Sequence, residues 1–141
     1  MVMNDKNNKF PNLVPGLSTS ISVIVTSEHT ARTLGSGHRQ VLGTPALIAF
    51  MENAAQKTVD HLLPENHQTV GTHMKIHHDA ATPVNMKVTI SAHLSSVNGR
   101  ILSFDIEAHD EMELIARATH QRAVALTASL DKLLKKKIKS N

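Results

Sequence analysis

The sequence predicts an α+β domain, an antiparallel sheet wrapped around one long central helix. Three observations predict it. Residues 44–63 form the one segment apolar enough for a long buried helix, the residues beyond Pro64 fall into four strand-like stretches, and an Asn98-Gly99 pair marks a hairpin between two of them. The chain of 141 residues has the length of a single domain. With 40% hydrophobic residues it can build a sizeable core without a metal or disulfide staple.

Residues 1–16 hold Pro11, Pro15 and Gly16 with no sustained period, which reads as an irregular arm. Residues 17–126 make the folded domain, opened by a strand in which Ile21, Val23 and Val25 alternate with more polar neighbours. LGSGHRQVLG (residues 34–43) has three glycines in ten residues and is expected to be a mobile flap or lid. Thr44-Pro45 then starts a helix, threonine as the cap and proline in the first turn. Residues 46–51 are apolar on every side, so this half is expected to be buried all round, and the second half is amphipathic through Val59, Leu62 and Leu63. Strands follow at residues 69–79, 84–97, 101–109 and 115–126, the second with Met86, Val88, Ile90, Ala92 and Leu94 on alternate positions. Residues 127–141 form a basic amphipathic tail with Leu130, Leu133, Leu134 and Ile138 as an apolar stripe. It reads as a solvated helix whose lysines would also suit an acidic membrane surface. One helix cannot cover so wide a sheet from both faces, so two copies are expected to pair.

Composition removes whole classes of function. Absence of cysteine excludes disulfides, thiolate nucleophiles and cysteine zinc sites. The net charge of +3 comes from the tail: without Asp131 and its five lysines, 10 basic residues face 11 acidic ones. Three phenylalanines are the only aromatics, too few for base stacking, so no nucleic-acid partner is expected. No stretch is long enough to span a bilayer, and residues 1–12 are too polar for a signal peptide, which leads to the expectation of a cytoplasmic protein.

Glu52 stands out as a carboxylate within ALIAFMENAA. Burying it unpaired is costly, so it either meets a donor in a functional site or lies on a wet stripe of the helix with Gln56. Thr44 can be a cap, and the same helix start offers free amides to a carbonyl oxygen or an anion. Alternation sets His73 and His77 on one strand face and His78 with Met74 and Ile76 on the other. His73 and His77, about 13 Å apart at ~3.3 Å per residue, supply too few ligands for zinc, so no metal site is expected. His78 is either a proton carrier or a core-edge histidine bonded to backbone. No phosphate-binding loop and no G-x-S-x-G elbow occur.

Four blocks carry a family likeness: GTPALIAFMENAA (residues 43–55), TVGTHMKIHHDAATPVNMKV (69–88), VNGRILSFDIEAHDE (97–111) and ATHQR (118–122). In order and spacing they resemble the fluoroacetyl-CoA thioesterase-like branch of the hot-dog superfamily. The resemblance implies the hot-dog fold and hydrolysis of a short or medium acyl-CoA thioester, with coenzyme A as part of the substrate and no separate cofactor. It places the catalytic threonine, glutamate and histidine on Thr44, Glu52 and His78, and Gly71, Arg122 and Pro45 beside the substrate. Asp79 and Ala118 stand where the family usually has leucine and glycine, and the flap lacks a bulky aromatic lid, so fluoroacetyl-CoA itself is not the expected substrate. A hot-dog hydratase or a non-catalytic acyl-CoA binding protein are the alternatives. Thr44 and Glu52 lie eight residues apart, about 12 Å along a helix at 1.5 Å per residue, so the site is expected to form between two subunits of a homodimer or higher oligomer. Arg39, Arg100, Arg122 and the tail lysines are candidates for the phosphates of coenzyme A.

Overall fold

A computed structural model describes residues 9–138. The first half of the expected N-terminal arm and Lys139 of the tail lie outside the described residues. The elements run β1 (Ser18–Ile24), α1 (Ala31–Leu34), α2 (Thr44–Val59), β2 (His67–His78), β3 (Lys87–Asn98), β4 (Ile101–His109), β5 (Leu114–Leu126) and α3 (Thr127–Ile138), with single 3-10 turns at Ser27–His29 and Asp60–Leu62. The strands form one antiparallel sheet in the order β1-β3-β4-β5-β2, leaving β1 and β2 at its edges. Helix α2 packs on one face of it.

Period-two patterning builds this core directly. Val88, Ile90, Ala92 and Leu94 of β3 and Leu102, Phe104, Ile106 and Ala108 of β4 point inward. Leu47, Met51, Ala54, Ala55 and Val59 of α2 cover them at helical spacing. The arm contributes as well, since Phe10 and Leu13 are buried in the same core.

Several expectations need correction. The apolar half of α2 is not buried all round: Ala49 is exposed and Ile48 and Phe50 are half-buried, so an apolar side of the helix faces outward. Strand β3 begins at Lys87 rather than residue 84, because Asn85 takes a left-handed φ of 77° and turns the chain. In the β3-β4 hairpin Asn98 pairs with Ile101, so the loop is Gly99-Arg100, and Gly99 alone takes the positive φ (61°) of its first position. The glycine-rich segment is tied down rather than loose: Gly35 caps α1 at φ 75°, and the amides of Ala31 and Arg32 donate to the carbonyls of Val41 and Arg39.

One irregularity in β2 positions the site. The register against β5 slips between Gly71 and His73, adding one residue to β2. Seven positions separate Gly71 from His78, so strict alternation would set them on opposite faces. The extra residue reverses the parity, and Gly71, Met74, Ile76 and His78 all come to the face that carries α2, opposite Arg122, His120, Ala118 and Ala116.

Candidate active site

The cap of α2 is Gly43, not Thr44. A Cβ at Gly43 would lie 3.0 Å from the Ala31 amide nitrogen, so only glycine allows α1 and the start of α2 to approach this closely. Thr44 is therefore the first helical residue, followed by Pro45, and its hydroxyl is released from capping. It reaches across to the end of β2, where Thr44 Oγ1 lies 2.8 Å from His78 Nδ1. The other ring nitrogen, His78 Nε2, is buried with no hydrogen-bond partner among the described residues. Burial pushes the His78 pKa below the usual 6.5, opposed by the Ala80 carbonyl and the charge of Asp79. A cavity of about 520 Å³ opens here, walled by Val41, Leu42, Pro45, Ile48 and Ala80 together with the Thr44-His78 pair. Amides in the first turn of a helix lack intrahelical partners, so this corner combines an imidazole, a hydroxyl and a partial positive charge.

Two turns along α2, Glu52 belongs to a second cluster. Its carboxylate lies 3.6 Å from Arg122 NH1, with 45% of the Glu52 side chain exposed against 7% for Arg122. Gly71 makes room for it, since a Cβ there would come within 2.5 Å of Glu52 Oε2. Arg122 is buried and held on all sides. Its Nε donates to Thr69 Oγ1 (2.8 Å), NH2 to the Thr69 carbonyl (3.2 Å) and NH1 to His120 Nε2 (3.1 Å). Thr69 Oγ1 in turn donates to Asp60, in the turn that follows α2. A carbonyl can only accept, so the 2.7 Å contact between His120 Nδ1 and the His73 carbonyl fixes the proton on Nδ1 and leaves Nε2 bare for the guanidinium. Burial, then the adjacent Arg122 charge, lower the His120 pKa against the pull of the His73 carbonyl and Glu52, so the ring is neutral near pH 7.

Thr44, Pro45 and His78 are thus together at one end of α2, and Glu52, Gly71 and Arg122 two turns away. The carboxylate contacts Arg122 within its own chain rather than facing His78. Arg122 is buried, with four of its five N–H donors directed at Thr69, His120 and Glu52. Arg39 and Arg100 are exposed, Arg39 in the loop that rims the cavity. His73 and His77 lie on the outer sheet face, and among the described residues no three His, Asp or Glu side chains converge on a metal-sized point. Sequence reasoning missed Asp60, Thr69 and His120. His120 had a visible signal: with Arg122 it interrupts an inward row otherwise made of Ala116, Ala118 and Val124.

Residues 25–128 match the sequence profile of a family described as fluoroacetyl-CoA-specific thioesterase (FlK). The fluoroacetyl-CoA thioesterase of Streptantibioticus cattleyicolor is 38% identical over 85 residues, a match spanning 60% of this chain and 61% of that relative's length. A solved structure of the fluoroacetyl-CoA thioesterase FlK superposes with a TM-score of 0.84 at 29% identity, covering 89% of this chain and 97% of the other. A hot-dog-like protein from Thermanaerovibrio acidaminovorans gives a TM-score of 0.84 at 22% identity over 90% and 94% of the two chains, which establishes the hot-dog fold.

Proposed function

Because the chain belongs to the fluoroacetyl-CoA-specific thioesterase family, we propose that it hydrolyses a short or medium acyl-CoA thioester to the free acid and coenzyme A, as a cytoplasmic homodimer or higher oligomer. The observation that carries this reading is the Thr44-His78 pair, with its second imidazole nitrogen unpartnered at a cavity beside a helix start. In the proposed reaction water adds to the thioester carbonyl and its proton passes to His78 Nε2. The oxyanion is met by amides of the first turn of α2, with Thr44 fixing the imidazole through Nδ1. The tetrahedral species expels the coenzyme A sulfur, and the proton on His78 moves to that sulfur. Hydrolysis of this kind requires no redox group or metal. The apolar walls around Ile48, Val41 and Leu42 suit a small acyl chain, and thiol release across a series of acyl-CoA lengths measures the limit.

A second copy of the chain supplies Glu52 in this reading. Three features support it: Glu52 is half exposed, β2 has an unpaired edge beside it, and the apolar residues Ile48 and Ala49 of α2 are incompletely covered. Arg122 holds that carboxylate in place, where from the second copy it would stabilise the imidazolium formed on His78. Oligomeric state by light scattering tests the pairing, and a monomer at full activity contradicts it.

Two further outcomes are expected. Gly71→Ala displaces the Glu52 carboxylate because the new Cβ has no room. It should lower kcat by about a hundredfold, since misplacement of a catalytic group by an ångström has that effect, with only a small fall in Tm. Full activity in this variant would separate the carboxylate's position from the chemistry. The second outcome is a pH profile. A base must be neutral to act, so kcat/KM should fall on an acid limb as His78 takes up a proton, a limb that burial moves below pH 6.5 and the partner's Glu52 beside the ring moves back up. Stability follows the same sign: the folded-state pKa values of His78 and His120 are depressed, so their contribution is present above pH 6.5 and lost as pH falls through the folded values. A kcat/KM that does not fall toward low pH contradicts the assignment.

A further inference from the structure

The C-terminal helix α3 projects from the body of the domain. Its first residue is anchored, with Thr127 donating its amide to the Asn66 carbonyl and accepting from the Gln68 side chain at its hydroxyl. Leu130 is half-buried, and every residue from Asp131 to Ile138 is exposed. This includes Leu133 and Leu134 at 58% and Ile138 at 70%, large apolar side chains left in water. At about 100° per residue, Leu130, Leu133, Leu134 and Ile138 share an arc of roughly 140°. Lys132, Lys135 and Lys136 fall on the opposite arc, and Lys137 interrupts the apolar side, lying within its arc between Leu133 and Leu134 in angle.

We propose that α3 is a docking helix for an anionic lipid surface. Charge complementarity selects this occupant. Asp131 is the only acidic residue of the helix, set against four lysines, so a second α3 laid on the same stripe would bring like charges together. The stripe has no aromatic or arginine anchor of the kind that dominates protein grooves. A bilayer interface needs no such anchor: acyl chains accept the leucines while anionic headgroups meet the lysines. No described helix is long and apolar enough to cross a membrane, so the contact is peripheral. With only four apolar side chains and no lipid anchor it is weak, reversible and salt-sensitive.

Flotation of the full chain with vesicles tests this. The protein should float with phosphatidylcholine vesicles that contain phosphatidylserine, stay behind with phosphatidylcholine alone, and be released by salt. Lys132→Gln, Lys135→Gln and Lys136→Gln together should weaken binding by roughly a hundredfold, from about 1 kcal/mol per lysine at such a surface. Leu133→Glu with Leu134→Glu should abolish it at an unchanged Tm, since both positions are exposed. No flotation at low salt, or flotation that survives the leucine replacements, overturns the proposal. A smaller mass for the leucine variant by light scattering assigns the stripe to a second copy instead. Binding to soluble polyglutamate without binding to vesicles assigns it to an acidic protein.

Discussion

Glu52→Gln and His78→Ala should each lower kcat for acyl-CoA hydrolysis by roughly 10² to 10⁴, the usual range for loss of a general acid or base, and an equimolar mixture of the two variants should recover activity. The recovery follows from the separation of the two clusters along α2. If each site takes His78 from one chain and Glu52 from the other, a mixed pair holds one site with both groups intact and one with neither. Random pairing puts half the chains in mixed pairs, so about a quarter of the wild-type rate returns after the variants are unfolded together and refolded. No recovery on mixing would place both groups in a single chain. Unchanged turnover in either variant alone would remove that residue from the mechanism. Glu52 as nucleophile gives a different signature, a covalent acyl adduct on Glu52 seen by mass spectrometry of rapidly quenched enzyme.

Arg122→Met should cost about 3 kcal/mol of stability, read as a lower urea midpoint at an unchanged slope. Methionine fills much of the space and makes none of the four polar contacts. His120 Nε2 loses its donor, Thr69 loses two, and each buried group left without a partner costs about 1–3 kcal/mol. Glu52 contributes less to this loss because its half-exposed carboxylate can turn to water. Arg122→Lys should recover under half of the stability, because an ammonium cannot donate to Thr69 and His120 in the same planar fork. Activity should fall in both variants through the freed Glu52. A stability change below about 1 kcal/mol in the methionine variant would show that the network is dispensable.

Alternation in residues 88–94 and 102–108 was enough to set two central strands and their inward faces, because side-chain direction in a strand is a local property of every second residue. The apolar run after Pro45 likewise specified the helix, and the ordered blocks around Thr44, Glu52, Gly71, His78 and Arg122 specified the family. What those residues do to one another was decided by tertiary structure. Thr44 satisfies every local rule for a cap, yet Gly43 takes that place because α1 packs too close for a side chain there, and the freed hydroxyl goes to His78. Gly71 and His78 share a face only because β2 slips by one residue against β5, and a slip of register is a property of two strands that neither carries alone. Arg122, a candidate phosphate contact in the sequence reading, became a buried clamp because Thr69 of β2 and Glu52 of α2, both remote in sequence, converge on it beside His120 of its own strand. Local patterning fixes what each element is and which way its side chains point, whereas the pairing of charges and protons depends on distances that only packing sets.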